Sequence, residues 1–386
     1  MSTMITEMAF SESEYRARVE RLRRTMSNTE LDCVVCVGPE PICYFSGYDA
    51  HTHFSEQALV IGCDGDPALV IRDVDVAPAE DSSWVQDLRL YHFGESGGET
   101  PVAQAVRDLS PGARRIGLDL GNGACSGQYA LRLIEACKPA EIVDAGVEIN
   151  AARLVKSAAE LDCVRQAARY AEAGLEAARA ALEPGITEIA FAGAIERGLR
   201  DAGSDYAAMP TWVASGPRNR GGHRTPTSRV IEKGDTVKTE FAGVERRYHA
   251  VTMQTFSIGE PSTEARAIYD ASREALVAGS SAVLDGQPIA VAERQAVASL
   301  RGSGFDASDM SRFGYGVGLQ FPPTWLEPLD IITQSSSDFA TGMTFVLHVG
   351  MKDSSLRHGA LVGGAYLIGE NGLECLSGGP SELLVI

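Results

Sequence analysis

Apolar residues at three- and four-residue spacing open the chain: Tyr15, Val19, Leu22 and Met26 predict an amphipathic helix over residues 12–29. The pattern then changes to short apolar runs. LDCVVCVG reads as a strand, Pro39-Glu40-Pro41 as a turn, and ICYFSGY as a second β segment ending at residue 48. A polar, aromatic patch follows, Asp49-Ala50-His51-Thr52-His53-Phe54-Ser55-Glu56. ALVIG and PALVIR form the arms of a predicted hairpin around Cys63-Asp64-Gly65-Asp66. IGLDLG near residue 117, the helical QYALRLIEAC and AEIVDAG near residue 143 complete a first domain, placed at residues 1–153.

Leu154-Val155-Lys156-Ser157 opens a second domain, residues 154–386. Ser157 followed by Glu160 is a capping-box signature, and the helix it starts runs from about 158 to 182, stopping at Pro184-Gly185. A second helix starts at Thr187 or Glu188 and reaches Asp201-Ala202-Gly203. Next comes Ser215 to Gly259, with a turn at Lys233-Gly234-Asp235 and two strand-like runs joined by Glu245-Arg246-Arg247. Ser262 to Ala282 and Ile289 to Ser303 form another helix pair. The remainder, FGYGVGLQFPP, GMTFVLHVGM, GALVGGAYLI and GLECL, is β-type with glycine-rich turns. Helix pair and hairpin, then helix pair and strands, suggests an internal duplication. The predicted fold class is α+β.

Composition narrows the function classes. With 34 Lys+Arg against 52 Asp+Glu the formal charge is −18, which argues against nucleic acid and against an anionic membrane surface as partners. The N-terminus carries no basic region before an apolar core, and no apolar run approaches the roughly 20 residues of a membrane span, so a cytoplasmic protein is expected. The eight cysteines are then expected to be reduced. Cys33-x-x-Cys36 has a redox spacing but sits inside an apolar strand, where two thiols filling sheet faces is the ordinary reading. No strand–Gly-x-Gly-x-x-Gly–helix pattern occurs, and no cofactor is expected.

Polar groups crowd the β-type centre of the second domain, where packing alone does not favour them. His223 follows Gly221-Gly222 and serves no apolar stripe, so it suits proton transfer. Glu240 lies on the strand face of Lys238, opposite Val237 and Thr239, and suits a cationic group, a base or a nucleophile. His348 interrupts the apolar TFVLHVGM, and Tyr315 stands between two glycines, where its hydroxyl can donate. Of Tyr248 and His249 only one can face a pocket, and alternation does not say which. Arg218, Arg220 and Arg224 offer planar donor forks to an anion, or form a solvated basic loop. Phe321-Pro322-Pro323-Thr324-Trp325 offers a stiff loop with a flat indole wall, or a dimer contact.

GDTVKTEFAGVERRYHAVTMQTF, GYGVGL and TGMTFVLHVG, in this order of elements, resemble the "pita-bread" family of methionine and Xaa-Pro aminopeptidases, creatinase and ectoine hydrolase. The resemblance covers essentially the whole chain and implies a creatinase-type N-terminal domain before a pita-bread domain. Metal-dependent members hold two divalent ions with two aspartates, a histidine and two glutamates. Those positions fall on Glu240, Val251, Tyr315, His348 and Gly363 or Gly364, so the resemblance implies that the dinuclear site is absent. One zinc on His223, His348 and Glu240 is the alternative weighed against no metal. The stretch from Gly222 to Arg229 looks like the one bearing the creatinase histidine, which maps to His223. Creatinase's two guanidinium-binding glutamates fall on Met253 and His348, so creatine is not the expected substrate.

In creatinase-like enzymes the N-terminal domain of one subunit lends residues to its partner's site. The arginine lent there is missing from Phe54-Ser55-Glu56-Gln57, leaving Phe54 and Glu56 as candidate contacts. The expectation is a homodimer with its site near the interface, acting as a metal-independent hydrolase of a C–N bond in a small polar or zwitterionic metabolite. Ectoine hydrolase is the nearest template. Catalysis is assigned to His223, Glu240, His348 and Tyr315, and binding to Phe54, Glu56, Arg218, Arg224, His249, Met253 and Trp325. A lyase acting on a small sulfonium or ammonium acid, and a non-catalytic binding protein, are the other readings.

Overall fold

Residues 8–49, 55–92, 94, 97–220, 222–310, 312–352 and 358–386 are described by the structure, a computed structural model. It divides into two units, Met1–Arg153 and Leu154–Ile386. Among the described residues of the first, six strands form one sheet: β1 (Cys33–Val37), β2 (Ala58–Gly62), β3 (Ala68–Arg72), β4 (Asp87–Tyr91), β5 (Arg115–Leu118) and β6 (Glu141–Asp144), in the order β4-β3-β2-β1-β5-β6. Helices α1 (Glu12–Asn28), α2 (Pro39–Ser46), α3 (Val76–Ser82), α4 (Glu99–Leu109), α5 (Gly127–Ala136) and α6 (Gly146–Leu154) accompany it. β1 is apolar throughout because both its faces are covered. Val34 and Cys36 pack with Leu22 and Met26 of α1, while Cys33, Val35 and Val37 pack with Val102 and Leu133. All eight cysteines are free thiols.

The expected second β segment is instead α2. Pro39 enters at the first helical position with its φ already set, and Gly47 closes the helix in the left-handed conformation at φ 83°. Every residue of α2 is buried, so its apolar run carries no period that separates helix from strand.

The second unit starts with α7 (Ala158–Ala181), whose Ser157 and Glu160 form the capping box in both directions. α8 (Glu188–Asp201) follows, capped by Thr187, and then β7 (Trp212–Ser215), β8 (Thr236–Glu245) and β9 (Tyr248–Ser257). α9 (Thr263–Ser280) and α10 (Ala290–Gly302) precede β10 (Gly314–Val317), β11 (Leu326–Ile331), β12 (Thr344–Lys352), β13 (Gly359–Gly369), β14 (Gly372–Cys375) and β15 (Leu384–Val385). The sheet order is β11-β10-β12-β13-β9-β8-β7, with β14 on β13 and β15 on β9. One face of β8–β9 sends Val237, Phe241 and Phe256 into a core with Leu175 and Phe191 of the helices. The opposite face is the one that builds the site.

The β8–β9 corner places Arg246 and Arg247 at φ 48° and 70°, two consecutive left-handed residues without glycine. Arg247 holds the corner from within. It donates to the carbonyls of Tyr206 and Gln320 at 2.7 and 3.0 Å and stacks 4.0 Å from the Tyr206 ring centroid. No helix among the described residues is long and apolar enough to cross a membrane.

Candidate active site

Strand register puts one transverse row of side chains across five strands. Trp212 of β7 opposes Glu240 of β8, Glu240 opposes Met253 of β9, Met253 opposes Gly363 of β13, and Gly363 opposes His348 of β12. Residues that pair directly share a face, so the row looks into one cavity. Gly363 supplies no side chain, which leaves the middle of the row hollow. The cavity measures about 230 Å³, and His223, Arg224, Lys238, Arg312 and Tyr315 complete its polar wall. That is below the range typical for drug-sized ligands, roughly 300–1,000 Å³, and suits a small metabolite.

Polar groups here are poorly satisfied by the protein itself. His348 Nδ1 and the indole Nε1 of Trp212 are buried without a hydrogen-bond partner among the described residues. Glu240 is 6% exposed, and no described residue donates a hydrogen bond to its carboxylate. Orphaned buried polar groups cost stability unless something else satisfies them, and a cavity ligand is the available partner.

Burial sets the protonation states. It pushes the Glu240 carboxyl up to about 7, with Lys238 and Arg312 pulling it back. Burial lowers the Lys238 ammonium to about 8, opposed by Glu240. His348 is driven to about 3 by burial, with Arg312 and His223 adding to the shift, so its imidazole is neutral at physiological pH. His223 is lowered by burial first, then by Arg312 and Lys238. Tyr315 stays protonated, its pKa raised by burial and by Glu240. Its oxygen accepts the Trp325 indole N–H at 3.0 Å, leaving its own proton to donate. The Tyr315 ring lies 5.7 Å from that of His348, and the His223 ring 5.4 Å from that of Trp212. Two neutral imidazoles, a phenol and a carboxyl near neutrality are the equipment of general acid–base chemistry.

Of the residues singled out from sequence, Arg220, His223, Arg224, Glu240, Met253, Tyr315 and His348 line this cavity. Trp325 does not: it is fully buried behind Tyr315 and fixes that hydroxyl. Neither residue of the Tyr248–His249 pair lines it. Tyr248 donates to Glu160 at 2.9 Å, and His249 Nε2 accepts the Ala208 N–H at 3.0 Å. Arg218 pairs with the buried carboxylate of Glu188, which also accepts from Ser215 and Thr227, and so holds the loop after β7 together. In the first unit, Glu56 pairs with Arg132 and accepts the Gly98 N–H at 3.0 Å. Phe54, His51 and His53 lie outside the described residues. Sequence reasoning missed Arg312, which sits just before β10, and placed Lys238 on the right face without giving it a role. The signal for Arg312 was a charge just before an apolar strand, and for Lys238 its place two residues from Glu240 on the same strand face.

The donor set can be tested against the metal ions of the resemblance. Val251 is fully buried among Ala242, Met253 and Val346. A Cβ on Gly364 would lie 1.8 Å from the Ser377 carbonyl oxygen, and one on Gly363 2.6 Å from both His348 Cβ and the Leu347 oxygen, so neither position has room for a glutamate. Among the described residues no group of three or more His, Cys, Asp and Glu side chains is placed to hold a metal ion. One carboxylate beside Lys238 and Arg312 does not fit a pair of divalent cations.

Comparison with known proteins agrees with this architecture. Residues 18–155 match the Creatinase/Prolidase N-terminal domain, and residues 162–370 match Metallopeptidase family M24. The "uncharacterized hydrolase/peptidase y4tL" of Sinorhizobium fredii is 28% identical over 98% of both chains, and the ectoine hydrolase of Halomonas elongata 24% identical over 98% of both. Among solved structures, dipeptidase PepE of Mycobacterium ulcerans superposes with a TM-score of 0.86 at 25% identity, covering 98% of this chain and 99% of its own. The Xaa-Pro dipeptidase of Bacillus anthracis reaches 0.84 at 21% identity, covering 96% and 100%. With a creatinase/prolidase-type N-terminal domain, a pita-bread C-terminal domain and a match over more than half its length, the chain belongs to metallopeptidase family M24.

Proposed function

We propose that this protein hydrolyses a C–N bond in a small polar or zwitterionic metabolite without the use of a metal ion, and that an ectoine-type ring is the best single candidate. The observation that carries the reading is the row Trp212–Glu240–Met253–Gly363–His348, which faces a small cavity bordered by His223 and Tyr315. In this scheme neutral His223 takes a proton from water as the oxygen attacks the carbon of the C–N bond. The proton then passes to the departing nitrogen as that bond breaks, which restores the imidazole. Glu240 holds the cationic nitrogen. Tyr315 donates to the oxygen on which negative charge develops, a contact strengthened where water is excluded. His348 positions the substrate. The ectoine hydrolase of Halomonas elongata, similar along nearly the whole chain, supports the substrate class. Met253 and His348, where creatinase has carboxylates, count against a guanidinium substrate. We further place the protein in the cytoplasm as a homodimer, to be checked by light scattering on the purified chain.

The test is a substrate panel on exhaustively chelated protein, read by mass spectrometry: ectoine, hydroxyectoine, creatine, N-acyl diamino acids and a Xaa-Pro dipeptide. Turnover of a non-peptide that persists in EDTA and falls by at least about 100-fold in His223→Ala is the expected result. Dipeptide cleavage that depends on added metal would overturn the reading.

A further inference from the structure

Charge in the cavity runs opposite to charge in the chain. The protein carries a formal −18. Yet the described cavity lining brings together Arg220, Arg224, Lys238, Arg312 and Lys352 against the single carboxylate of Glu240. Cations drawn at random from an acidic protein do not gather round one concave surface, and gathering them costs mutual repulsion unless an anion enters. Arg220 and Arg224 make no ion pair among the described residues. Arg312 commits Nη1 to Asp330 of β11 at 2.9 Å. Its guanidinium is also fixed 4.9 Å from the Tyr315 ring centroid, beside the orphaned imidazole of His348. The rest of its planar fork is uncommitted to any other side chain among the described residues.

We propose that Arg312, assisted by Arg224, is the anion-recognising element of this cavity, and that the ligand it selects is a monocarboxylate. Glu240 lies in the same cavity, on the far side of Met253 and Gly363 from His348, and receives no hydrogen bond among the described residues. A second negative charge on the ligand would meet that buried carboxylate, so a dianion such as phosphate is disfavoured. A carboxylate at one end with a cationic nitrogen at the other satisfies both. This rests on the reading of the cavity as the substrate site, and it makes Arg312 the specificity determinant within it.

The experiment compares acids with their own carboxamides. Ectoine, creatine, N-acetyl-2,4-diaminobutyrate and proline, each beside its amide and with inorganic phosphate as a further probe, are titrated calorimetrically into His223→Ala protein. The titrations are repeated in that background with Arg312→Gln and with Arg312→Lys. At least one acid is expected to bind about tenfold or more tighter than its amide, since bonds to a charged partner are the strong ones. That preference should collapse in Arg312→Gln and return in part in Arg312→Lys, both folded by circular dichroism. Should Arg312→Gln not fold, the acid-to-amide ratio in Arg312→Lys decides, because lysine keeps the charge and loses the fork. Amides binding as well as acids, a preference that ignores residue 312, tighter binding of phosphate, or no acid binding at all would each overturn the proposal. Arg312-dependent binding without turnover by the His223 protein would sink the hydrolase reading and leave the anion site standing. Turnover of an acid unchanged by Arg312→Gln would do the reverse.

Discussion

Glu240 is held in a condition the fold would avoid if packing alone decided. Its carboxyl is raised from 4.5 to about 7 by burial, with Lys238 and Arg312 returning only part of the lost hydration. A raised carboxyl binds its proton more tightly in the native state than in the unfolded chain. Native stability from this group is therefore intact below 4.5, is lost as pH climbs from there to about 7, and stays lost above. Glu240→Gln should accordingly raise the melting temperature at pH 8, by a free energy on the order of 1–3 kcal/mol, and leave it unchanged at pH 4. Calorimetry at the two pH values checks this; a gain at pH 4 equal to that at pH 8 would mean burial is not the cause. The same titration should appear in catalysis. Where Glu240 must be ionised to hold a cationic nitrogen, kcat/KM rises about tenfold per pH unit toward 7 and then levels. His348, driven to about 3, adds no limb in that range. Lys238, lowered to about 8, can add a falling limb of its own, so only a fall above 7 that persists in Lys238→Met would instead make Glu240 the proton donor.

At the scale of elements, local signals located most helices and strands, and failed where burial erased periodicity. Ser157 with Glu160, Thr187 before α8, and the short charged corner between β8 and β9 were legible because caps and turns are written in a few adjacent residues. α2 was not, since its apolar run is buried on every side and only Pro39 and Gly47 betray a helix. Close approaches of elements were also hidden. Gly243 of β8 lies under α7 so tightly that a Cβ would stand 2.1 Å from the Ala167 carbonyl oxygen and 2.5 Å from the Ala171 nitrogen. Those are backbone atoms of a helix and cannot turn aside one at a time. Gly243→Ala should cost about 1–3 kcal/mol or more by pushing α7 from the sheet. Gly193 of α8, with nothing within 4 Å of its missing Cβ, is the control. Gly193→Ala should stabilise by roughly 0.5–1 kcal/mol through helix propensity. Equal melting temperatures for the two variants would show that the crossing is looser than described.

For the whole molecule, the fold was read from the order of elements together with the motifs GDTVKTEFAGVERRYHAVTMQTF, GYGVGL and TGMTFVLHVG, which carry the family resemblance. The site was legible only in part. His223 after a Gly-Gly pair, Glu240 on an alternating strand, Tyr315 between two glycines and His348 within an apolar strand could be found one at a time from their neighbours. Their assembly into one row depends on strand register across β7, β8, β9, β13 and β12, which no local pattern encodes. The bulk charge of −18 pointed away from the cavity's own sign, since Lys238 of β8 and Arg312, just before β10, are far apart in the chain. This opposition has a kinetic consequence. An anion approaching at low salt first meets the field of the whole acidic chain, which reaches about 30 Å at 10 mM and only about 8 Å at 150 mM. The cavity's cations act later, at contact, where salt screens little. Raising ionic strength over that range should therefore increase kcat/KM for a monocarboxylate of net charge −1 by about two- to threefold, while leaving its neutral carboxamide and a net-neutral zwitterion nearly unaffected, if encounter limits the rate. Stopped-flow quenching of Trp212, which lines the cavity, gives the association rate directly. A rate that falls with salt would mean that the cationic cavity, and not the acidic exterior, governs the approach.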